Sequence, residues 1–275
     1  MKNIIVPVDF SETSHNATLY ALELATIFDA SLTLLHVFSL PLPAVDVNLP
    51  VVPIQELTEA ANLKMKKYFN TLQLSWPLVK MDYFVSGGFT VDEITDYCAS
   101  HSCDLIVMGI TGGGKFKERM IGSNALSVVK DSGFDVLIVP TEAKFCRPKR
   151  IVLATDYSLR AEEQVALKLK NYLEKFNAKL EILNVITNAS QPSLESAISG
   201  LRYHHAFDYV DHDLKLADAD DTAEGIELYL ESHASDWLVT LPQRHTFFNS
   251  LFRESITRKL AFHLHIPIFT LNIKT

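Results

Sequence analysis

Gly109, Gly112 and Gly122 stand in a G-x2-G-x9-G-S arrangement that closes on Ser123 and runs, through Asn124 and Ala125, into a helical pattern. The segment follows the apolar run Leu105-Ile106-Val107-Met108, so it reads as a loop leading from a buried strand to a helix N-terminus. Glycines let backbone N–H groups approach an anion with no Cβ in the way. A helix start adds unpaired donors and the positive end of its dipole, and a serine there supplies a capping hydroxyl. Those are the requirements of a polyphosphate cradle. A plain glycine-assisted turn has the same spacing, so the pattern needs support from its surroundings. Lys115, Lys117 and Arg119 lie inside the loop and offer cations to a terminal phosphate, although Glu118 among them fits a solvated charge cluster equally.

Other chemistries are less well provided for. The sequence holds no G-x-S-x-G nucleophile elbow and no G-x4-G-K-[ST] phosphate loop. His36 ends a strand-like run with no carboxylate nearby and reads as a packed histidine. His204, His205, Asp208, Asp211, His212 and Asp213 have the residue types of a metal site. Ala206 to Val210 reads as strand, however, and alternation would send neighbouring side chains to opposite faces, so no metal site is expected. Cys98, Cys103 and Cys146 form no C-x-x-C pair and read as small hydrophobes in a reducing compartment.

The elements that must position the loop occur twice. Lys2-Asn3-Ile4-Ile5-Val6-Pro7-Val8-Asp9-Phe10-Ser11 is echoed by Lys149-Arg150-Ile151-Val152-Leu153-Ala154-Thr155-Asp156-Tyr157-Ser158, an apolar run ending in Asp-aromatic-Ser. Ser31 to Phe38 matches Lys179 to Ile186, Cys103 to Met108 matches Ser235 to Thr240, and Phe134 to Pro140 matches His265 to Leu271. Four landmarks in one order indicate a duplication. In the first copy, strands are expected near 2–8, 32–38, 79–85, 104–109 and 134–139, and helices over 12–28, 54–73, 90–101 and 123–132. Alternating strands and helices give βαβ units and a parallel sheet covered on both faces. The Pro-rich stretch Leu40 to Pro53 is expected to be a loop. The second copy has a shorter middle, with a brief helix over Pro192 to Leu201.

The copies differ at the loop. With Asp236 set against Asp104, Leu241 stands opposite Gly109, Arg244 opposite Gly112 and Glu254 opposite Gly122, while Ser255 keeps the place of Ser123. Leu and Arg do not freely take glycine-only backbone angles, and a Glu at the helix start repels phosphate. One nucleotide site per chain is therefore expected. The formal net charge of -8 disfavours a dedicated nucleic-acid or anionic-membrane binder, which needs Lys and Arg to displace counterions. No apolar run is long enough for a transmembrane helix, and the start reaches Asp9 too soon for a signal peptide; a cytoplasmic protein is expected.

The Asp9-Phe10-Ser11 opening, the Leu35-His36-Val37 end of the second strand and the complete G-x2-G-x9-G-S loop together resemble the universal stress proteins, specifically the tandem type with two such domains in one chain. The resemblance implies an α/β fold of two doubly wound, parallel five-stranded sheets, Rossmann-like and adenine nucleotide α-hydrolase-like, each in strand order 3-2-1-4-5. It implies domains at 1–142, with the nucleotide loop, and 149–275, degenerate. It also implies a crevice where Pro7, Val8, Asp9 and Val37 face an adenine base and Met108, Gly109, Gly112, Gly122, Ser123 and Asn124 surround ribose and phosphates. The implied cofactor is ATP or another adenine nucleotide, with or without Mg2+. The implied partners are the second domain, in an internal pseudo-dimer, a second chain in a homodimer, and a protein partner of unknown identity. The expected function is nucleotide-dependent regulation in a stress response, without efficient catalysis. The alternatives are a slow ATPase or autophosphorylating enzyme, and a structural interaction protein with a vestigial site. A related fold, the ATP pyrophosphatases, carries a Ser-Gly-Gly loop directly after its first strand, where this chain has Asp9-Phe10-Ser11-Glu12, which argues against adenylating chemistry.

Overall fold

In the computed structural model, residues 1–40, 53–110, 123–157, 161–187, 194–241 and 265–273 are described; Gly112, Gly122, Lys115, Lys117, Arg119, Arg244, Glu254 and Ser255 lie outside them. The first half runs β1 (Asn3–Pro7), α1 (Glu12–Phe28), β2 (Ser31–Phe38), α2 (Ile54–Ser75), β3 (Met81–Gly87), α3 (Thr90–Ser100), β4 (Leu105–Ile110), α4 (Ser123–Asp131) and β5 (Val136–Pro140). The second half runs β6 (Arg150–Ala154), α5 (Glu162–Phe176), β7 (Lys179–Ile186), α6 (Leu194–Ala206), β8 (His212–Asp218), α7 (Thr222–Ser232), β9 (Trp237–Thr240) and β10 (Ile268–Thr270).

All ten strands form one sheet in the order β3-β2-β1-β4-β5-β10-β9-β6-β7-β8. Each half has the order 3-2-1-4-5 with parallel neighbours, and the halves meet where β5 and β10 pair antiparallel, Ile138 against Ile268 and Leu137 against Phe269. The inner strands are almost wholly apolar because helices cover both faces, whereas the edge strands β3 and β8 alternate between covered and exposed positions. Over the junction, Phe28 of α1 packs 5.3 Å from Tyr172 and 5.4 Å from Phe176 of α5, with Trp237 and Phe269 beneath them. Each such buried aromatic contributes roughly 1.5–3 kcal/mol. Polar contacts also cross the junction. The Trp237 indole N–H donates to the Tyr20 hydroxyl at 2.7 Å, and Lys168 of α5 reaches Asp135, ahead of β5, at 2.6 Å.

The duplication extends to backbone detail. Phe10 and Tyr157, the aromatics of the two Asp-aromatic-Ser turns, both take left-handed backbone angles, φ 65 and φ 60. Asp29 and Asn177 both end the following helix in the same region, φ 50 and φ 53, where short side chains that bond locally are tolerated. The Asp104 carboxylate accepts the amides of Lys2 and Asn3, and the Asp236 carboxylate accepts those of Lys149 and Arg150, tying the fourth strand of each half to the start of the first.

The first-half elements fall where the sequence places them. In the second half, Ala206 to Val210 is not a strand: α6 extends to Ala206, a turn follows, and the edge strand begins at His212. Tyr203 and Phe207, four apart, are both fully buried, so a helical spacing sets the core contact there and overrides the β-propensity of the aromatics.

Candidate functional site

β1 pairs with β2 on one side and β4 on the other, so the chain reverses its direction of winding between β1 and β4. Connections leave the two strands on opposite faces of the sheet, and a crevice opens beyond their carboxyl ends. A cleft of about 280 Å3 lies at that point. It brings together Pro7, Val8 and Asp9 from β1 and its exit, Val37 from β2, Met108 and Gly109 from β4, and Asn124 from α4. Ser123 is the first residue of α4, so the helix start, with its unpaired N–H groups, lies beside the cleft where Asn124 and Ala125 line it.

The β1 exit is held by a relay of hydrogen bonds. Ser11 donates its amide (2.9 Å) and its hydroxyl (2.6 Å) to one oxygen of Asp9, while the Ser11 oxygen caps α1 by accepting the Ser14 amide at 3.1 Å. This turn holds the Asp9 carboxylate at the cleft and supports the left-handed backbone of Phe10 between them. Burial pushes the Asp9 carboxyl upward, but the bonds from Ser11, joined by Ser14, outweigh it and hold it below the usual carboxylate range. The carboxylate therefore stays ionised and accepts hydrogen bonds at neutral pH. Behind it, His36 Nδ1 bonds the Val8 carbonyl at 2.7 Å and its ring lies 4.6 Å from Phe10. It is a packed histidine that braces the β1 exit against β2.

Gly109 has a second reason to be glycine. A Cβ on it would stand 2.4 Å from the carbonyl oxygen of Thr13, in the first turn of α1. The absence of a side chain lets α1 settle onto the end of β4. Thr13, Ser11 and Thr90 also line the cleft. The sequence reading omits them because they belong to the starts of α1 and α3, and only the topology aims those helix ends at this crevice.

In the second half the matching described positions are buried. Leu241, at the place of Gly109, is only 4% exposed, and Thr240, at the place of Met108, is fully buried. Here the first helix begins at Glu162, four residues beyond Ser158, whereas α1 begins at Glu12, one residue beyond Ser11. Gly225 of α7 approaches so near to Val185 that an added Cβ would meet that side chain at 2.4 Å, and Val185 is 7% exposed where its counterpart Val37 lines the open cleft.

The sequence profile of the universal stress protein family matches residues 1–140. One universal stress protein of Methanocaldococcus jannaschii is 32% identical over 154 residues, covering 50% of this chain and 94% of that protein. A second from the same organism is 28% identical over 144 residues, covering 52% of this chain and 84% of that protein. The crystal structure of a universal stress protein from Archaeoglobus fulgidus superposes with a TM-score of 0.74 at 18% identity, covering 98% of each chain. The length and the repeated strand order fit the tandem form of this fold. The chain belongs to the universal stress protein family.

Proposed function

We propose that this protein is a nucleotide-dependent regulator whose first domain, residues 1–142, binds one ATP or closely related adenine nucleotide, and whose second domain, 149–275, has lost the site and serves as scaffold. The observation that supports this reading is the cleft at the β1 and β4 ends, lined by seven of the residues that the family resemblance implies: Pro7, Val8, Asp9, Val37, Met108, Gly109 and Asn124. Its volume of about 280 Å3 falls just below the ~300–1,000 Å3 typical of ligand clefts, and the start of α4 extends it with donors suited to phosphates. The base lies against Pro7, Val8, Asp9 and Val37, and the ribose and phosphates run past Met108 and Gly109 toward Gly112, Gly122, Ser123 and Asn124, with or without Mg2+. The antiparallel β5 and β10 pairing supports an internal pseudo-dimer. The three unlinked thiols fit a reducing compartment such as the cytoplasm.

Calorimetric titration of the full chain with ATP tests the reading. One equivalent per chain is expected, and Gly122→Glu, which copies Glu254, abolishes it while leaving the folded spectrum intact. Two equal sites, or unchanged affinity in that variant, overturn it. Phosphate release by the purified protein, with Asp9→Ala as control, separates regulatory binding from slow hydrolysis.

A further inference from the structure

The turn between α6 and β8 gathers three side chains that no part of the nucleotide reading uses. His204 stands in the last turn of α6, Asp208 in the turn, and His212 at the first position of β8. One ligand atom of each lies within 4.8 Å of the others. Strand alternation does not separate them, because the segment between is helix and turn.

The hydrogen bonding prepares these atoms for a cation. His212 Nδ1 lies 2.9 Å from the Val210 carbonyl, an acceptor only, so that nitrogen carries the proton and donates it. The other nitrogen, Nε2, then presents its lone pair to His204 Nδ1, 2.7 Å away. An imidazole fixed through a carbonyl on one nitrogen is the support that metal-binding histidines ordinarily have; the other nitrogen accepts from His204 Nδ1–H, and a cation entering between the rings takes the place of that proton, which His204 then carries on Nε2 instead. The frame is firm: Tyr203 and Phe207 are fully buried on either side of His204, and the Phe207 and Val210 amides close the turn onto the His204 and Phe207 carbonyls. The neighbouring acids Asp211 and Asp213 are engaged by Lys179, while among the described residues Asp208 has only an exposed contact, 3.4 Å to His205 Nδ1, which it exchanges for the cation.

We propose that His204, Asp208 and His212 form a binding site for a divalent transition-metal ion of the zinc class. Two imidazoles and one carboxylate suit such an ion, whereas calcium and magnesium require mostly oxygen ligands. The two nitrogens, 2.7 Å apart, part by about 0.6 Å and exposed Asp208 swings inward to reach tetrahedral bonds of ~2.0–2.2 Å, with water in the fourth position. The first half has no counterpart: Met81 occupies the register position of His212, each facing the second residue of its neighbouring strand, Leu32 or Leu180. The site therefore gives the second half a ligand of its own, independent of ATP.

The test is calorimetric titration of the chelator-treated full chain with Zn2+, together with the visible spectrum after adding Co2+. One Zn2+ per chain and an intense tetrahedral Co2+ absorption are expected. His204→Ala and His212→Ala each weaken Zn2+ binding by at least about tenfold, the lower bound for losing even a supporting group. His101→Ala, at the end of α3 in the first half and remote from the cluster, retains it. Equal Zn2+ affinity in the His204 and His212 variants, or a weak octahedral Co2+ spectrum from the parent chain, overturns the site. The spectrum needs no variant, so misfolding of a substitution cannot mask the answer.

Discussion

Replacing Gly109 by Ala separates the packing role of this glycine from any role toward phosphate. The new methyl would meet the Thr13 carbonyl oxygen at 2.4 Å, its carbonyl carbon at 2.8 Å and its Cγ2 at 2.7 Å. These contacts are roughly 1 Å inside ordinary van der Waals distance. The obstacle is backbone in the first turn of α1, and Thr13 is tied to Thr141 at 3.1 Å while Asn16, one turn on, holds the Pro140 and Ala143 carbonyls at 2.9 Å. The helix end cannot yield without straining its anchorage on β5. Overpacking of this kind costs about 1–3 kcal/mol, and the lost chain freedom of glycine in the unfolded state returns about 0.4–1. The net destabilisation is about 1–2 kcal/mol, and each kcal/mol lowers the thermal midpoint by about 2–4 °C in chains of this order of size. Thermal unfolding without nucleotide, followed by circular dichroism, measures it. A midpoint equal to that of the parent protein would refute the packing argument and leave Gly109 only a ligand-facing role. The matching change in the second half, Leu241→Ala, should destabilise for the opposite reason, by opening a cavity worth about 2–5 kcal/mol at a residue 4% exposed.

Three further substitutions probe the junction and the second half. Tyr20→Phe leaves the buried Trp237 indole N–H without its acceptor and should cost about 1–3 kcal/mol in urea unfolding. Lys168→Met removes the cation facing Asp135, whose carboxyl burial holds above the usual range despite that cation. A raised folded-state value means that the ionised form opposes folding and the opposition fades as pH falls through it. The variant should therefore be least stable, by about 2–3 kcal/mol, near neutral pH and approach the parent protein under acid, as unfolding midpoints across a pH series would show. Thr240→Val removes a buried hydroxyl that has no hydrogen-bond partner among the described residues and should raise stability by about 1 kcal/mol; a fall would mean that the hydroxyl is satisfied.

Much of this was legible in the sequence because central strands of a doubly wound sheet are short apolar runs with capping residues close behind. Ser11 marked the start of α1, and the helix expected over 12–28 is found at Glu12–Phe28. The crevice followed from the topology, since Asp9, Val37 and Met108 all sit at carboxyl ends of neighbouring strands. Two things escaped. Thr13 and Thr90 reach the cleft only because α1 and α3 begin there, a relation between distant segments. The other is the juxtaposition of His204, Asp208 and His212, because Ala206 to Val210 looks like strand whereas the four-residue spacing of Tyr203 and Phe207 is the periodicity that governs the segment.

What the two halves share and where they part company follow from the geometry of a parallel sheet. At the amino ends, Asp104 and Asp236 make the same pair of bonds to the first strand, and Asp29 and Asn177 make the same turn. These contacts hold strands in register whatever a domain binds, so any copy that folds this way benefits from them. At the carboxyl ends the requirement differs. An open crevice needs a residue without a side chain after Met108, because the first helix must approach β4 while leaving its own start exposed to a ligand. Where Leu241 takes that place it is buried, and the first helix starts three residues later in the repeat. Burying Leu241 supplies core to the second half, and among the described residues the α6 to β8 turn gathers ligating side chains elsewhere on that half.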